Sequence, residues 1–308
     1  MKYARTDKDI PAINVRDTAL IFEGGGMRAS YTAGVVGALI ESDINFSKVY
    51  GISAGSSHCA NYLSRDVPRA YHSFTRHVVD PRAVDKMGVV NGRGYFNSKY
   101  LYEGVAEELD GTDKPMAFDF EMFTKNPAQI HIEAFNRETG ETVSFEKEDM
   151  PTMLEMMLAV RASSTMPLFM PPTEFNGNTY MDGGLGSSWG ICIDAAKRDG
   201  FDKFFIVRTQ PREYRKKPLD AVSRTLFRLV FRRYPLVAQR TIERWREYNR
   251  VCDEIEELEK TGAAYVFYPS SMEVENKTTD ISKLTASLNA GIDQAASEID
   301  KWRTWLSL

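Results

Sequence analysis

Apolar residues in this chain come in short blocks punctuated by glycine. In "TALIFEGGG" a block from Ala19 to Phe22 runs into Gly24-Gly25-Gly26, which predicts a short buried strand ending in a glycine loop. "RASYTAGVVGALIES" follows, with Ala33, Val36, Gly37 and Ile40 at helical spacing. "FSKVYGIS" predicts a second strand, then a turn around Ser53 and a helix through about Ser64. Residues 1–65 therefore read as strand–loop–helix–strand–turn–helix, the alternation that builds a parallel sheet. Both loops fall at carboxyl ends of strands, where open α/β sheets bind their ligands.

Periodicity is weaker over residues 66–120, where "VVNGRGYFNSKYLYEGVAEEL" suggests a turn and one helix. "QIHIEAFNRETGETVSF" predicts a hairpin about Glu138-Thr139-Gly140. "TMLEMMLAVRASS" reads as an apolar helix that cannot extend through Pro167. "GNTYMDGGLGSS" reads as a glycine-dense loop leading to a helix near Gly190–Arg198, and "KFFIVRTQ" as a further buried strand. "AAYVFYP" predicts a last strand and the closing stretch a last helix. The predicted architecture is a three-layer α/β/α fold with a mostly parallel sheet. Residues 1–210 are expected to form its α/β core, and 211–308 a mainly helical extension packed on it.

Composition narrows the class. With 43% apolar and 27% charged residues among 308, the chain is neither disordered nor fibrous. A net charge of −4 and a pI near 5.7 exclude nucleic acid as the main partner. The segment "MKYARTDKDIPAINVRDTAL" lacks the apolar region of a signal peptide, and no apolar run approaches a spanning helix. Cys59, Cys192 and Cys252 are odd in number and show no metal spacing, which predicts buried free thiols in a cytoplasmic protein.

Three stretches carry candidate chemistry. Gly51-Ile52-Ser53-Ala54-Gly55, between a strand and a helix, has the pattern of a turn that exposes a serine as a nucleophile. Gly24-Gly25-Gly26-Met27-Arg28 leaves backbone N–H groups to converge on one spot, an oxyanion hole or a phosphate nest. Neither GxGxxG nor GxxxxGK[ST] accompanies it, which disfavours a nucleotide. Asp182-Gly183-Gly184 is an acid in a glycine turn, functional only with a serine partner. A Ser–acid–His order needs a histidine beyond Asp182, yet the histidines are His58, His72, His77 and His131. His58, on the helix after the turn, points sideways or into packing. His131 lies mid-strand, and His72 and His77 read as surface groups.

In this order, "EGGGMR", "GISAGS", "ASSTMP" and "DGG" resemble the patatin-like phospholipases, most of all their bacterial cytosolic branch. The motifs span Glu23 to Gly184, about half the chain, and are jointly specific. The resemblance implies lipid acyl hydrolysis by a serine–aspartate dyad, with Ser53 as nucleophile and Asp182 as base. It implies an oxyanion hole from Gly24, Gly25, Gly26, Met27, Arg28 and Ala54, and a supporting segment Ala162–Pro167. Ala29 stands where many members have glycine. No metal or cofactor is required. A free aspartate is a poor base near neutrality, so the dyad needs a pocket that raises its pKa.

"AVSRTLFRLVFRRYPLV" places Arg224, Arg228 and Arg232 on one helical face and Val222, Leu226, Leu229 and Val230 on another. A helix of this kind lies on anionic membrane surfaces, here the inner membrane face. The competing reading packs its apolar stripe on the domain and leaves its arginines solvated or paired with the acidic Asp253–Glu259. From Pro211 to Arg250 there are 12 Lys/Arg against 4 Asp/Glu, and from Val251 onward 5 against 11. The expected function is a serine hydrolase acting on carboxylic esters of lipids: phospholipid, lysophospholipid or acylglycerol. The alternative is a lipid- or acyl-binding protein with little hydrolytic activity; a phosphate-binding module lacks a companion motif.

Overall fold

Strand β1, Thr18–Phe22, meets water on neither face: Leu20 and Phe22 enter one apolar core, Ala19 and Ile21 another. Such a strand sits mid-sheet under helices on both sides. The computed structural model describes residues 9–85, 87–88, 94–104 and 116–308. The remaining strands are β2 (Lys48–Gly51), β3 (Gln129–Asn136), β4 (Thr142–Phe145), β5 (Thr173–Phe175), β6 (Asn178–Asp182), β7 (Lys203–Val207) and β8 (Ala264–Phe267). One sheet takes them in the order β5-β6-β3-β2-β1-β7-β8, with β4 on β3. From β3 to β8 the pairings are parallel, while β4, β5 and β6 pair antiparallel.

The α-helices are α1 (Ala29–Glu41), α2 (Ala54–Leu63), α3 (Val67–Ser73), α4 (Phe120–Lys125), α5 (Met153–Ser163), α6 (Ile193–Arg198), α7 (Ala221–Val230), α8 (Pro235–Lys260) and α9 (Ile281–Leu306). Helices α1, α2, α5 and α9 supply the core on one face; α6 and α8 supply the other. The sheet and its cores continue past residue 210, since β8 pairs with β7 and Trp302 is buried against Phe205 and Phe267. Helices α1 and α9 cross in backbone contact: a Cβ on Gly34 would strike Ile292 N, and one on Gly291 would strike Tyr31 O.

Local chemistry explains the boundaries. Thr152 and Glu155 form a reciprocal capping box that starts α5, and Asp220 and Asp280 cap α7 and α9. Helix α5 ends at Ser163, before Pro167 would force it to. The hairpin appears as β3 and β4. The loop expected around Asp182 is a correction: Asn178–Asp182 is a strand, β6, and Thr173–Phe175 pairs with it as β5. Glycines flanking a short polar run masked that pattern. In the stretch expected to form a turn and a helix, residues 89–93 and 105–109 lie outside those described, and Tyr100–Gly104 is one π-helical turn.

Beneath β3 lies a buried ionic cluster. His131 Nδ1 is 2.6 Å from Glu146 Oε1 and its Nε2 is 3.3 Å from Glu133 Oε1. Burial opposes charge on His131, but hydrogen bonds and attraction from Glu133 and Glu146 outweigh it and lift the pKa from 6.5 to about 9. A raised folded-state pKa means the pair's full contribution below pH 6.5, lost as pH rises through about 9. Denaturant titrations from pH 6.5 to 9.5 should show a loss on the order of 2–3 kcal/mol that His131→Gln abolishes. An equal decline in wild type and variant would refute the assignment.

Candidate active site

Between the end of β2 at Gly51 and the start of α2 at Ala54 the chain reverses in two residues. Ser53 takes the strain, with φ +56° and ψ −126°, a conformation costing a non-glycine residue about 1–3 kcal/mol. A Cβ on Gly51 would collide with the Gly55 carbonyl and the Cys59 sulfur, and one on Gly55 with the Phe22 carbonyl. Backbone crowding thus imposes both glycines of GxSxG. The Ser53 N–H donates to Ser163 Oγ at 2.9 Å, and the Ser163 hydroxyl donates to the Glu133 carbonyl at 2.7 Å. The Asp182 N–H donates to the Thr165 carbonyl at 2.7 Å. The segment 162–167 therefore braces both Ser53 and Asp182.

These two residues meet because β2 and β6 share one edge of β3. Ile132 pairs with Gly51 on one side and Phe145 on the other; Ala134 pairs with Asp182 and Val143 in the same way. Strands β2 and β6 run toward each other along that edge and end two β3 residues apart. The Ser53 side chain lies beside the Asp182 carboxyl and helps to hold its charge, and Asp182 Oδ1 accepts the Gly184 N–H at 2.8 Å. Burial pushes the Asp182 pKa above the usual carboxylate value, against the pull of Arg244, Ser53, the Gly184 N–H and Lys216.

His58 lies elsewhere. Its Nε2 is 2.9 Å from Thr32 Oγ1, its ring packs between Phe22 and Phe74, and burial lowers its pKa to about 3. His77 is not the surface group expected: it is buried, and its Nε2 is 3.1 Å from the Leu101 carbonyl. The tryptic-looking run around it gave no sign that helix packing would cover the ring.

The glycine loop is clamped at several points. Gly24 N–H donates to Gly190 O at 3.1 Å, Met27 N–H to Asn276 O at 3.2 Å, and Thr209 Oγ1 donates to Gly24 O at 3.1 Å. Arg28 N–H turns back to Gly25 O. The N–H groups of Gly25, Gly26 and Ala54 have no acceptor among the described residues. Behind the loop, Glu23 and Arg208 form a fully buried pair at 2.9 Å, and Glu23 also accepts from Thr209 N–H and Tyr248. Burial acts to raise the Glu23 pKa, yet Arg208, Tyr248 and Thr209 together hold it below the usual carboxylate range.

Two cavities meet at Ser53, sharing Gly26 and Met166. One is apolar, walled by Phe74, Phe118, Met156, Met157, Val160 and Met170 among others. The other is polar and carries Asp182 with Arg28, Lys216 and Arg244. A Cβ on Gly184 would occupy the position of the Arg244 guanidinium, so the second glycine after Asp182 admits that side chain. Lys216, Arg244 and Asn276 belong to no motif and come from scattered points in the polar C-terminal third. Their only signal in the sequence is the excess of Lys/Arg before residue 250.

Helix α7 differs from the packed alternative. It touches the core through Phe227 and the adjoining Phe231, near Phe135, Met181 and Leu185. Val222 and Leu229 are 79% and 64% exposed, and Leu226 and Val230 are exposed as well. The acidic segment of α8 pairs instead with Arg212 and Arg215. Among the described residues no helix is long and apolar enough to cross a membrane.

Comparison with known proteins agrees with this geometry. Residues 234–307 match a domain of unknown function, DUF6363. The chain is 24% identical over 195 residues to the uncharacterized protein YjjU of Escherichia coli K12, covering 63% of this chain and 52% of that protein. It is 24% identical over 194 residues to the probable lipid hydrolase 463L of invertebrate iridescent virus 6, covering 56% of this chain and 62% of that protein. The chain thus matches little more than half the length of either relative. In fold it is similar to VipD of Legionella pneumophila, with a TM-score of 0.51 at 11% identity over 97% of this chain and 72% of that one. Residues 20–191, the strands, glycine loop and serine turn described above, match the model of the patatin-like phospholipase family, and the chain belongs to that family.

Proposed function

We propose that this protein hydrolyses carboxylic esters of lipids through Ser53 and Asp182. The observation that carries the reading is Ser53 beside a buried Asp182 of raised pKa, at the junction of an apolar and a polar cavity. An acyl chain would lie in the apolar cavity. Asp182 takes the Ser53 proton as Oγ attacks the ester carbonyl carbon, and the oxyanion forms against the unengaged N–H groups of Gly25, Gly26 and Ala54. The tetrahedral intermediate collapses, and Asp182 returns its proton to the departing alcohol. Water, deprotonated by Asp182, then attacks the acyl-Ser53 carbonyl, and as the C–O bond to Ser53 breaks Asp182 returns the proton to Oγ and the fatty acid leaves. Raised basicity answers the mismatch of an ordinary aspartate with neutral pH.

The exposed apolar positions of α7 and its neighbours Arg224, Arg228, Arg232 and Arg233, all exposed, suit a peripheral contact with an anionic lipid surface. That contact would bring the site to lipid without a spanning segment.

Purified protein should cleave a short-chain nitrophenyl ester and react with a fluorophosphonate at Ser53. Ser53→Ala should abolish both, and Asp182→Asn should lower kcat by about 10⁴-fold with the fold intact. Full turnover in either variant would exclude the dyad, and the lipid-binding reading would stand in its place if the wild type were inert but retained fatty acid. In vesicle sedimentation, Arg224→Glu/Arg228→Glu/Arg232→Glu should release the protein from anionic but not zwitterionic membranes. Equal retention of wild type and triple variant would remove α7 from the membrane contact.

A further inference from the structure

Ionic bookkeeping in the polar cavity does not close. Arg28, Lys216 and Arg244 line it, and Asp182 is the only carboxylate among its described lining residues. Glu23 is already neutralised by Arg208 behind the loop. None of the three cations forms an ion pair with a described carboxylate. The Nε atoms of Arg28 and Arg244 are shut off from solvent without an acceptor. An arginine donor left unpaired in a buried site costs free energy comparable to a lost charged hydrogen bond.

Lys216 is held for a purpose other than local pairing. Its backbone is clamped by Asn249, which accepts from Lys216 N–H at 2.8 Å and donates to Lys216 O at 3.0 Å. The ammonium then lies over the Tyr248 ring at 4.3 Å and near that of Tyr214. Burial first, then repulsion from Arg244 and Arg28, lowers its pKa to about 7. Three cations kept together against their mutual repulsion around one cavity, none of them in an ion pair with a described carboxylate, form a built site for an anion.

We propose that Lys216 and Arg244, with Arg28, bind a phosphate ester on the alcohol side of the scissile bond, so that the C-terminal segment selects lipids with an anionic phosphate head group. This rests on the hydrolase reading for its orientation: the acyl chain enters the apolar cavity, leaving the departing alcohol on the cationic side of Ser53. With Lys216 protonated and Asp182 ionised, the excess of two positive charges matches a phosphomonoester dianion better than a zwitterionic phosphodiester. Neutral acylglycerols would leave the cations uncompensated. The hydrolytic step is unchanged; the phosphate stays on the departing alcohol and no bond to phosphorus breaks.

The test has a kinetic and a binding arm. Full-length protein is assayed on a monoacylglycerol, a monoacylglycerol 3-phosphate and a monoacylglycerol 3-phosphocholine of one chain length. The phosphomonoester should lead in kcat/KM by at least about thirtyfold, and Lys216→Met and Arg244→Gln should each cut that ratio about tenfold or more. Lys216→Arg should preserve it. In the second arm, Ser53→Ala protein is titrated calorimetrically with glycerol 3-phosphate, inorganic phosphate and glycerol. Glycerol 3-phosphate should bind and glycerol should not, with binding lost in Ser53→Ala/Lys216→Met. Tighter binding of inorganic phosphate than of glycerol 3-phosphate would assign the site to free phosphate and overturn the head-group role. Ester hydrolysis without phosphate preference or binding would overturn this proposal alone. Lys216-dependent binding in a chain that cleaves no ester would instead overturn the hydrolase reading and leave the anion site standing. If Lys216→Met does not fold, the wild-type substrate ratio and the Ser53→Ala titration decide the matter.

Discussion

The edge of β3 is the constraint on which the rest of the site depends. A strand has only two edges, and β4 occupies one along Ile132–Phe135. Strands β2 and β6 must therefore divide the other, one running parallel and one antiparallel, and their carboxyl ends converge. Ser53 and Asp182 come side by side because backbone ladders bring them there, so no long flexible side chain has to be ordered. The bracing by Ser163 and Thr165 extends the same logic, since both bond to the backbone of Ser53 and Asp182 and not to their side chains.

Burial then sets the electrostatics of the contact on which the proposed chemistry rests. A solvated aspartate beside a serine would do little, but burial of Asp182 disfavours its charge and raises its basicity. Arg244 and Lys216 pull the other way. The glycine loop is balanced in a comparable manner. Its carbonyl and N–H groups are clamped by Thr209, Gly190 and Asn276, while the Glu23–Arg208 pair anchors its root. A buried pair of this sort is weak support for stability, because desolvation offsets much of the attraction. Its physical effect is to tie the end of β1 to the end of β7 and, through Tyr248, to α8.

Parts of this were readable along the chain and parts were not. Apolar blocks located β1, β2, β7 and β8, because a strand buried on both faces shows as a continuous apolar run. Strand β6 was hidden, since "NTYMDGG" at a sheet edge is half polar and flanked by glycines that suggest a loop. His77 was misplaced for a related reason: its flanking arginine and histidine read as solvent-facing until α3 and the π-helical turn covered it. The cationic cavity left no motif, because Arg28, Lys216 and Arg244 converge only after α8 docks on the far face of the sheet.

By itself the sequence determined what short-range sterics and composition control. The serine turn follows from backbone contacts within residues 51–59 and with the strand beside them, so glycine spacing announces it. The glycine loop follows from three consecutive residues without side chains, and the family from both together. Tertiary structure alone decided which N–H groups remain unengaged, how basic Asp182 becomes and which cations face it. Each of those depends on desolvation and on charges brought together from distant positions, and neither quantity exists in the chain until it has folded.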